Sequence, residues 1–363
     1  MSRRHLACGI VAACALVAAL PASAQFYKNK SITMLINYGA GGNTDIEGRV
    51  FARHLPNHLE GKPNFIVADK PGAGGLVGMN YLGSGAVRAD GMTVGFFTFN
   101  AVAPIVHDPG LKVRVSDFAF IAGVSQYQVT YGRVDMEPGM KKPADIVKAA
   151  QVYAAGYNPS TPQDVRQKLT LDLIGAKFRL ITGFQSIGDI NKAMMQKEIN
   201  FTASSMPAYQ SQTINNLIKP GIAMPFWYYQ VSGPNGTFQK YPLLESQGVR
   251  GFTDVYKEIH GKMPSGPKWD AFVILNDIAT SMLRFIVMPH GSPKAAVDEM
   301  RKAFAELATD QAFQAEYEKL INVKAEMVSA ADGEAILAKL DKVDPAAVAA
   351  LKEATRKDAT RKK

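Results

Sequence analysis

The sequence predicts an α/β protein of two doubly wound domains that face each other across a cleft. Three observations carry this expectation. Strand-like and helix-like runs alternate with short connections, the signature of βα units. Two strand-to-helix corners in the first third share the tetrapeptide GAGG, at 39–42 and 72–75. Two more corners in the middle third pass from a strand through the short polar loops YNPS and FQ into a helix.

The elements follow in order. SITMLIN (31–37) reads as a strand, and DIEGRVFARHL (45–55) puts Ile46, Val50, Phe51 and Leu55 on one helical face. FIVAD (65–69) is the next strand and LVGMNYLG a short helix. MTVGFFTF (92–99) and FAFIAGV (118–124) are further strands. Helix ADIVKAAQ, strand VYAAG, helix PQDVRQKLTLDLIG, strand FRLITG, helix IGDINKAMMQKE and strand INFTASS come next. This order predicts parallel, doubly wound sheets. Phe226-Trp227-Tyr228-Tyr229 is either a pocket wall or a buried strand near a domain crossing. Residues 250–284 read as long loops, and from Ser292 onward the chain reads as helical, with Thr309 and Asp344-Pro345 as cap signals. Domain boundaries fall near 125 and 245. One domain takes 25–125 together with 246–363, and the other takes 126–245.

The first 24 residues are set apart. Arg3 and Arg4 precede an apolar run that ends in Ala22-Ser23-Ala24, the form of a secretory signal cleaved after Ala24. Leu6 to Pro21 carry no charge, which is short of the ~20 residues of a membrane span. The protein is therefore expected in the periplasm. Both cysteines, Cys8 and Cys14, lie in this leader, so the rest of the chain has no disulfide, thiolate nucleophile or cysteine-ligated metal. The formal net charge of +9 is concentrated in the leader and in the tail KEATRKDATRKK. The remaining body is too weakly basic for a nucleic-acid partner.

In an open α/β sheet, ligands bind beyond the carboxyl ends of the strands, where loops turn into helices. Glycines there allow close backbone approach, and free amides ahead of a helix attract an anion. The GAGG corners thus read as a cradle for a carboxylate or phosphate; the plain alternative is two tight turns. Thr44-Asp45-Ile46-Glu47 fits a capping box, which would occupy the helix's own first amides and leave those of Ala40 to Asn43 open. Thr161 to Asp164 and Ser186 to Asp189 repeat a cap signal across the cleft. Catalytic patterns are missing: there is no phosphate-binding P-loop, no G-x-G-x-x-G, and Gly183 to Gly188 has the wrong spacing for a nucleophile elbow. His54 and His58 lack the partners of a zinc site and read as exposed surface histidines. No cofactor, metal or catalytic residue is expected.

LINYGAGGNTD, ADKPGAGGLVG and ADGMTVGFFTFN, in this order and spacing, resemble the extracytoplasmic receptors of tripartite tricarboxylate transporters, the Bug receptors. The usual forms there are close to VPFAAGGxTD, ENRPGAGGxxG and PDGYTLLxG. The resemblance spans about 26–330 and includes VYAAGYNPSTPQDV and FIVMPHGSPKAAVDEMRKAF. It implies a periplasmic-binding-protein-like fold, with two doubly wound α/β domains closing on a small organic carboxylate. It also implies a monomer that delivers its ligand to membrane transporter subunits. Carried over by position, the ligand-binding residues are Tyr38, Ala40, Gly41 and Asp45, then Gly72, Ala73 and Gly74, then Thr98 and Asn100. Across the cleft they are Asn158, Ser160, Thr161, Phe184, Gln185, Ser186 and Ser204. Tyr38 stands where Phe is usual, and Phe184-Gln185-Ser186 replaces a Tyr-Lys-Gly-like turn. With Phe99 nearby, these point towards an aromatic or longer aliphatic acid. A carboxylate-sensing protein for a kinase ectodomain and a periplasmic enzyme are the alternatives.

Overall fold

Largely apolar runs three to seven residues long build the strands. The computed structural model describes residues 26–184, 186–233 and 236–356. The leader with Cys8 and Cys14, Gln185 and the end of the basic tail lie outside the described residues. The first part of the chain runs β1 (Ser31–Ile36), α1 (Asn43–His54), β2 (Asn64–Asp69), α2 (Leu76–Gly83), β3 (Thr93–Thr98), α3 (Val102–Val106) and β4 (Ala119–Ser125). The middle runs β5 (Gln128–Arg133), β6 (Val152–Gly156), α4 (Pro162–Leu173), β7 (Phe178–Thr182), α5 (Ile187–Met195) and β8 (Phe201–Ser205). Then come α6 (Met206–Ala208), which continues as π-helical turns over Tyr209–Ile218, and β9 (Ala223–Tyr228). The last part runs α7 (Pro242–Ser246), α8 (Phe252–His260), α9 (Pro267–Ser281), β10 (Arg284–Met288), α10 (Lys294–Leu307), α11 (Gln311–Ile321), β11 (Glu326–Val328), α12 (Ala330–Leu337) and α13 (Pro345–Ala354).

The strands form two sheets. One has the order β11-β4-β10-β3-β1-β2, the other β7-β6-β8-β5-β9. Each holds a parallel trio: β1 pairs in parallel with β2 and β3, and β6 with β7 and β8. The other pairings are antiparallel, so both sheets are mixed. The chain passes to the second sheet at Gln126-Tyr127 and returns to the first at β10, which inserts between β3 and β4.

Four local expectations change. Residues 250–284 are not long loops but α8, α9 and the start of β10, with short connections at 261–266 and 282–283. The reason is burial: Trp269, Ala271, Phe272, Leu275, Asn276, Ile278 and Ala279 are all buried where α9 packs on α4 and α13. A helix covered on several sides shows no single apolar stripe. ADIVKAAQ forms only a 3₁₀ turn, Pro143–Lys148. Asp310, rather than Thr309, caps α11, accepting from the amides of Ala312 (2.8 Å) and Phe313 (3.1 Å). His54 and His58 are not free on the surface. His54 Nε2 meets Glu316 Oε2 at 2.7 Å and His58 Nε2 meets Asp310 Oδ2 at 2.9 Å, joining the α1 end to α11. Among the described residues no cluster of three His, Cys, Asp or Glu side chains is placed to hold a metal, and no helix is long and apolar enough to cross a membrane.

The aromatic run resolves as a buried strand end. Phe226, Trp227, Tyr228 and Tyr229 are fully buried, with Trp227 against Phe201 and Phe252. In the first half, Phe51 anchors α1, its ring centroid 4.8 Å from Phe313, 5.1 Å from Phe96 and 5.6 Å from Phe304. Burying such a ring stabilises by about 1.5–3 kcal/mol. This fixes where the amino end of α1 points.

Candidate functional site

Because β1, β2 and β3 are parallel, their carboxyl ends deliver the corners at 38–42, 70–75 and 99–101 to one edge of the first sheet. β6 and β7 deliver 157–161 and 183–184 from the second. The two sets face each other closely: a Cβ built on Gly74 would lie 3.8 Å from Thr161 Cγ2.

Asn37 joins the three corners of the first half. It is fully buried; Nδ2 donates to Thr98 O (3.0 Å) and Gly75 O (3.2 Å), and Oδ1 accepts from Thr98 N (2.9 Å). Gly75 has φ +91°, and a Cβ there would lie 2.4 Å from Asn37 Nδ2. Glycine is therefore required by both conformation and space. Gly72, Ala73 and Gly74 also have positive φ, of +132°, +48° and +63°. The amides of Ala73 and Gly74 have no partner among the described residues.

The first corner differs from the expected capping box. α1 starts at Asn43, its N-cap is Gly42, and no side chain caps it. Thr44 instead pairs its hydroxyl with that of Thr98 at 2.7 Å, and Glu47 turns into the core to meet Arg284. A buried guanidinium is a stronger partner for a carboxylate than a backbone amide. The amides of Ala40, Asn43, Thr44 and Asp45 consequently have no partner among the described residues. Gly41, by contrast, is engaged: its amide donates to Asp45 Oδ2 at 2.8 Å, while Asp45 Oδ1 accepts from Arg49 Nε at 2.7 Å. An uncapped helix start with free amides carries partial positive charge.

Beneath this helix start lies a buried network. Arg284 donates through Nε to Glu47 Oε2 at 3.1 Å and through Nη1 to Thr98 Oγ1 at 2.6 Å. Tyr317 OH (2.9 Å) and Gln126 Nε2 (3.2 Å) also donate to Glu47 Oε2. Tyr38 is half-buried above it. Burial raises its phenol, Arg284 acts in the lowering direction, and Asp164 of the second half adds to the rise.

On the second side, Asn158 is exposed, and its Oδ1 accepts from the Ser160 amide (3.0 Å) and hydroxyl (3.1 Å). Thr161 caps α4, its Oγ1 accepting from Asp164 N at 3.4 Å. Asp164 is fully buried, and its Oδ2 accepts from Asn158 N at 2.7 Å. Burial pushes its carboxyl up to about 7, against the hydrogen bonds from Asn158 and Thr161. Phe184 is half-buried. Ser186 is exposed and caps α5, accepting from Asp189 N at 3.2 Å. Ser204 is buried and its Oγ has no partner among the described residues. Asn100 donates to Gly74 O at 3.5 Å and accepts from Ala103 N at 3.3 Å. Gln185 lies outside the described residues.

Sequence reasoning missed Asn37, Asp164 and Arg284, the buried residues that support the corners. Asn37 and Arg284 had one signal each, a lone polar residue at the end of an otherwise apolar strand. Asp164 was visible only as part of a cap pattern. A separate cavity of about 460 Å³, lined by Ser232, Phe238, Pro264, Trp269 and Asp277, lies beside α9. There Asp277 is already engaged by the amide of Ser232 at 2.9 Å and by its hydroxyl.

No family model matches the chain. Among curated proteins it is 35% identical over 173 residues to the UPF0065 protein in the gbd 5' region of Cupriavidus necator, covering 45% of this chain and 47% of that one. It is 39% identical over 94 residues to Protein BugT of Bordetella pertussis, covering 26% and 27%. The chain thus spans about half or less of the length of the curated relatives it matches. Among solved structures, the periplasmic binding protein BugD matches 92% of this chain and 100% of its own at 18% identity and a TM-score of 0.63. A TctC solute-binding protein from Polaromonas matches 90% and 99% at 19% identity and a TM-score of 0.61. An R. palustris protein solved with adipate matches 88% and 97% at 15% identity and a TM-score of 0.63. These likenesses establish the fold.

Proposed function

From the kinship of this chain with the Bug receptors, we propose that it is an exported solute-binding receptor that captures a small organic carboxylate between its two halves and delivers it to a tripartite tricarboxylate-type transporter. One observation supports the carboxylate reading above the rest. The amino end of α1 is left uncapped, with the amides of Ala40 and Asn43 to Asp45 free, where corners of both halves converge. A carboxylate there would complete these donors with no cationic side chain in direct contact. The Arg284–Thr98–Thr44 chain beneath ties the corner to the buried Arg284–Glu47 ion pair, which holds it in place. On this reading the leader directs export and is removed after Ala24, and the protein binds rather than transforms its ligand.

The test is a thermal-shift screen of mono- and dicarboxylates against neutral sugars and metal ions. At 100 times Kd an acid that fits raises stability by about 2.7 kcal/mol. A response confined to sugars or metal ions refutes the carboxylate reading. Small-angle scattering with the responding acid checks closure, with a smaller radius of gyration expected when it is bound.

A further inference from the structure

Asp164 is sealed into the wall of the second half without a counter-ion. It is fully buried at the start of α4, one turn behind Thr161. Its Oδ2 accepts from Asn158 N at 2.7 Å and its Oδ1 from Gln167 Nε2 at 3.4 Å. The carboxyl lies against Gly156, the last residue of β6, where an added Cβ would come 2.3 Å from Oδ1 and 2.5 Å from Oδ2. The absent side chain of that glycine is the room the carboxyl occupies. Among the described residues no Lys, Arg or His pairs with it. Arg166, two residues on, is turned to Gln128, Asn276 and Thr280, and Arg284 to Glu47 and Thr98. An unpaired charge in such a place is costly, and the group relieves the cost by holding a proton.

The ionisable groups around it keep their charge near neutral pH. Tyr157 after β6, Tyr38 after β1 and Tyr229 after β9 all feel the Asp164 charge, and burial raises each phenol, so all three stay neutral. Burial lowers Arg166 only to about 10, which leaves it a cation. β7, β8, α9 and α13 also pack on α4 and bring no charge to bear on Asp164. Asp164 is also placed where a bound anion is felt. Thr161, which caps its amide, lies 3.8 Å from the position a Cβ on Gly74 would take, and Tyr38 beside the first corner already senses its charge. A second negative charge brought close to a buried carboxylate favours its neutral form.

We propose that capture of the organic anion draws a proton from solvent onto Asp164, so that the protein takes up acid anion and proton together. This rests on an anion binding at the first corner. The balance is simple: the anion and the proton enter from solvent, an O–H bond forms on Asp164, and no bond of the ligand breaks. Asp164 acts through its charge and does not touch the ligand. The sign follows from the repulsion. The complex holds the Asp164 proton more tightly than the free protein does, so binding weakens as pH rises through the range in which free Asp164 loses its proton.

Calorimetry in HEPES and in Tris, buffers whose ionisation enthalpies differ, counts the protons taken up on binding. The probe is the acid with the largest thermal shift among those fully ionised above pH 6. If the complex lifts Asp164 by about one pH unit, wild type takes up about half a proton per ligand at pH 7.5 and binds about 8-fold tighter at pH 6 than at pH 9. Asp164→Asn keeps an oxygen for Asn158 N but cannot titrate. Its heat should not depend on the buffer, and its Kd should be flat across the same range. If that variant does not melt cooperatively, infrared difference spectra of wild type decide: adding the acid at pH 7.5 should bring up a protonated-carboxyl band, and its absence overturns the inference. Wild-type binding without proton uptake, uptake that persists in Asp164→Asn, or failure of a well-folded Asp164→Asn to bind also overturns it and leaves carboxylate capture standing. Binding of no acid by wild type overturns both.

Discussion

Gly41 has φ +78°, and a Cβ built on it meets nothing within 4 Å. Gly175, at the end of α4, has φ +77° and equally open surroundings. Alanine at either position bears the same left-handed strain, about 1–2 kcal/mol. Both variants should therefore lose a few degrees in Tm, by similar amounts. Their binding should differ. At Gly41 the new methyl occupies the open space over the first corner, where a carboxylate would approach the amides of Ala40 and Asn43 to Asp45. Losing one charge-assisted hydrogen bond costs about 1.5–3 kcal/mol, or roughly 10- to 150-fold in Kd. Gly175→Ala should leave Kd unchanged. Calorimetric titration of both variants with the acid found by thermal shift measures this directly. Equal losses of Tm with equal, wild-type Kd values would mean that the first GAGG corner is only a turn. Gly83 is no substitute control, although it lies outside the corners, because a Cβ there would come 2.8 Å from Val113 Cγ1 and 2.9 Å from Phe118 Cζ.

Asn37→Leu leaves Thr98 N and Gly75 O buried without their partner, so urea unfolding should show a loss of about 2–5 kcal/mol together with weakened acid binding. Glu47→Ala strands Arg284 in the core; the expected loss is about 3–5 kcal/mol, and it should be nearly the same in low and high salt because the pair is buried. The Asp164 carboxyl, raised to about 7, binds its proton more tightly in the folded state than in the unfolded chain. Its contribution to stability is thus fully present below about pH 4 and is lost as pH rises through 7. The difference between wild type and Asp164→Asn, followed by urea unfolding from pH 4 to 8, should change by up to about 4 kcal/mol across that window. A flat difference curve would show that the carboxyl is not perturbed.

The corners were legible because they are local. Glycine at a strand end, followed by helical periodicity, encodes a turn within a few residues, and the caps at Thr161 and Ser186 formed as read. The box at Thr44 and Glu47 failed although its letters were right. Both side chains have partners more than 50 residues away, at Thr98 and Arg284, that outcompete the local amides. The stretch from 250 to 284 failed for a related reason. α9 is covered on several sides, and the periodicity that betrays a surface helix is absent from a buried one.

The sequence by itself determined the alternation of strands and helices and the four corners, and it carried the resemblance to the Bug receptors, since each rests on residues near one another in the chain. Only the tertiary structure decided which amides stay free. It placed β10 antiparallel between β3 and β4 and so brought Arg284 under the first corner, where it draws Glu47 away from the helix it would have capped. Hydrogen bonds across such separations depend on sheet order and helix packing, which no run of neighbouring residues encodes.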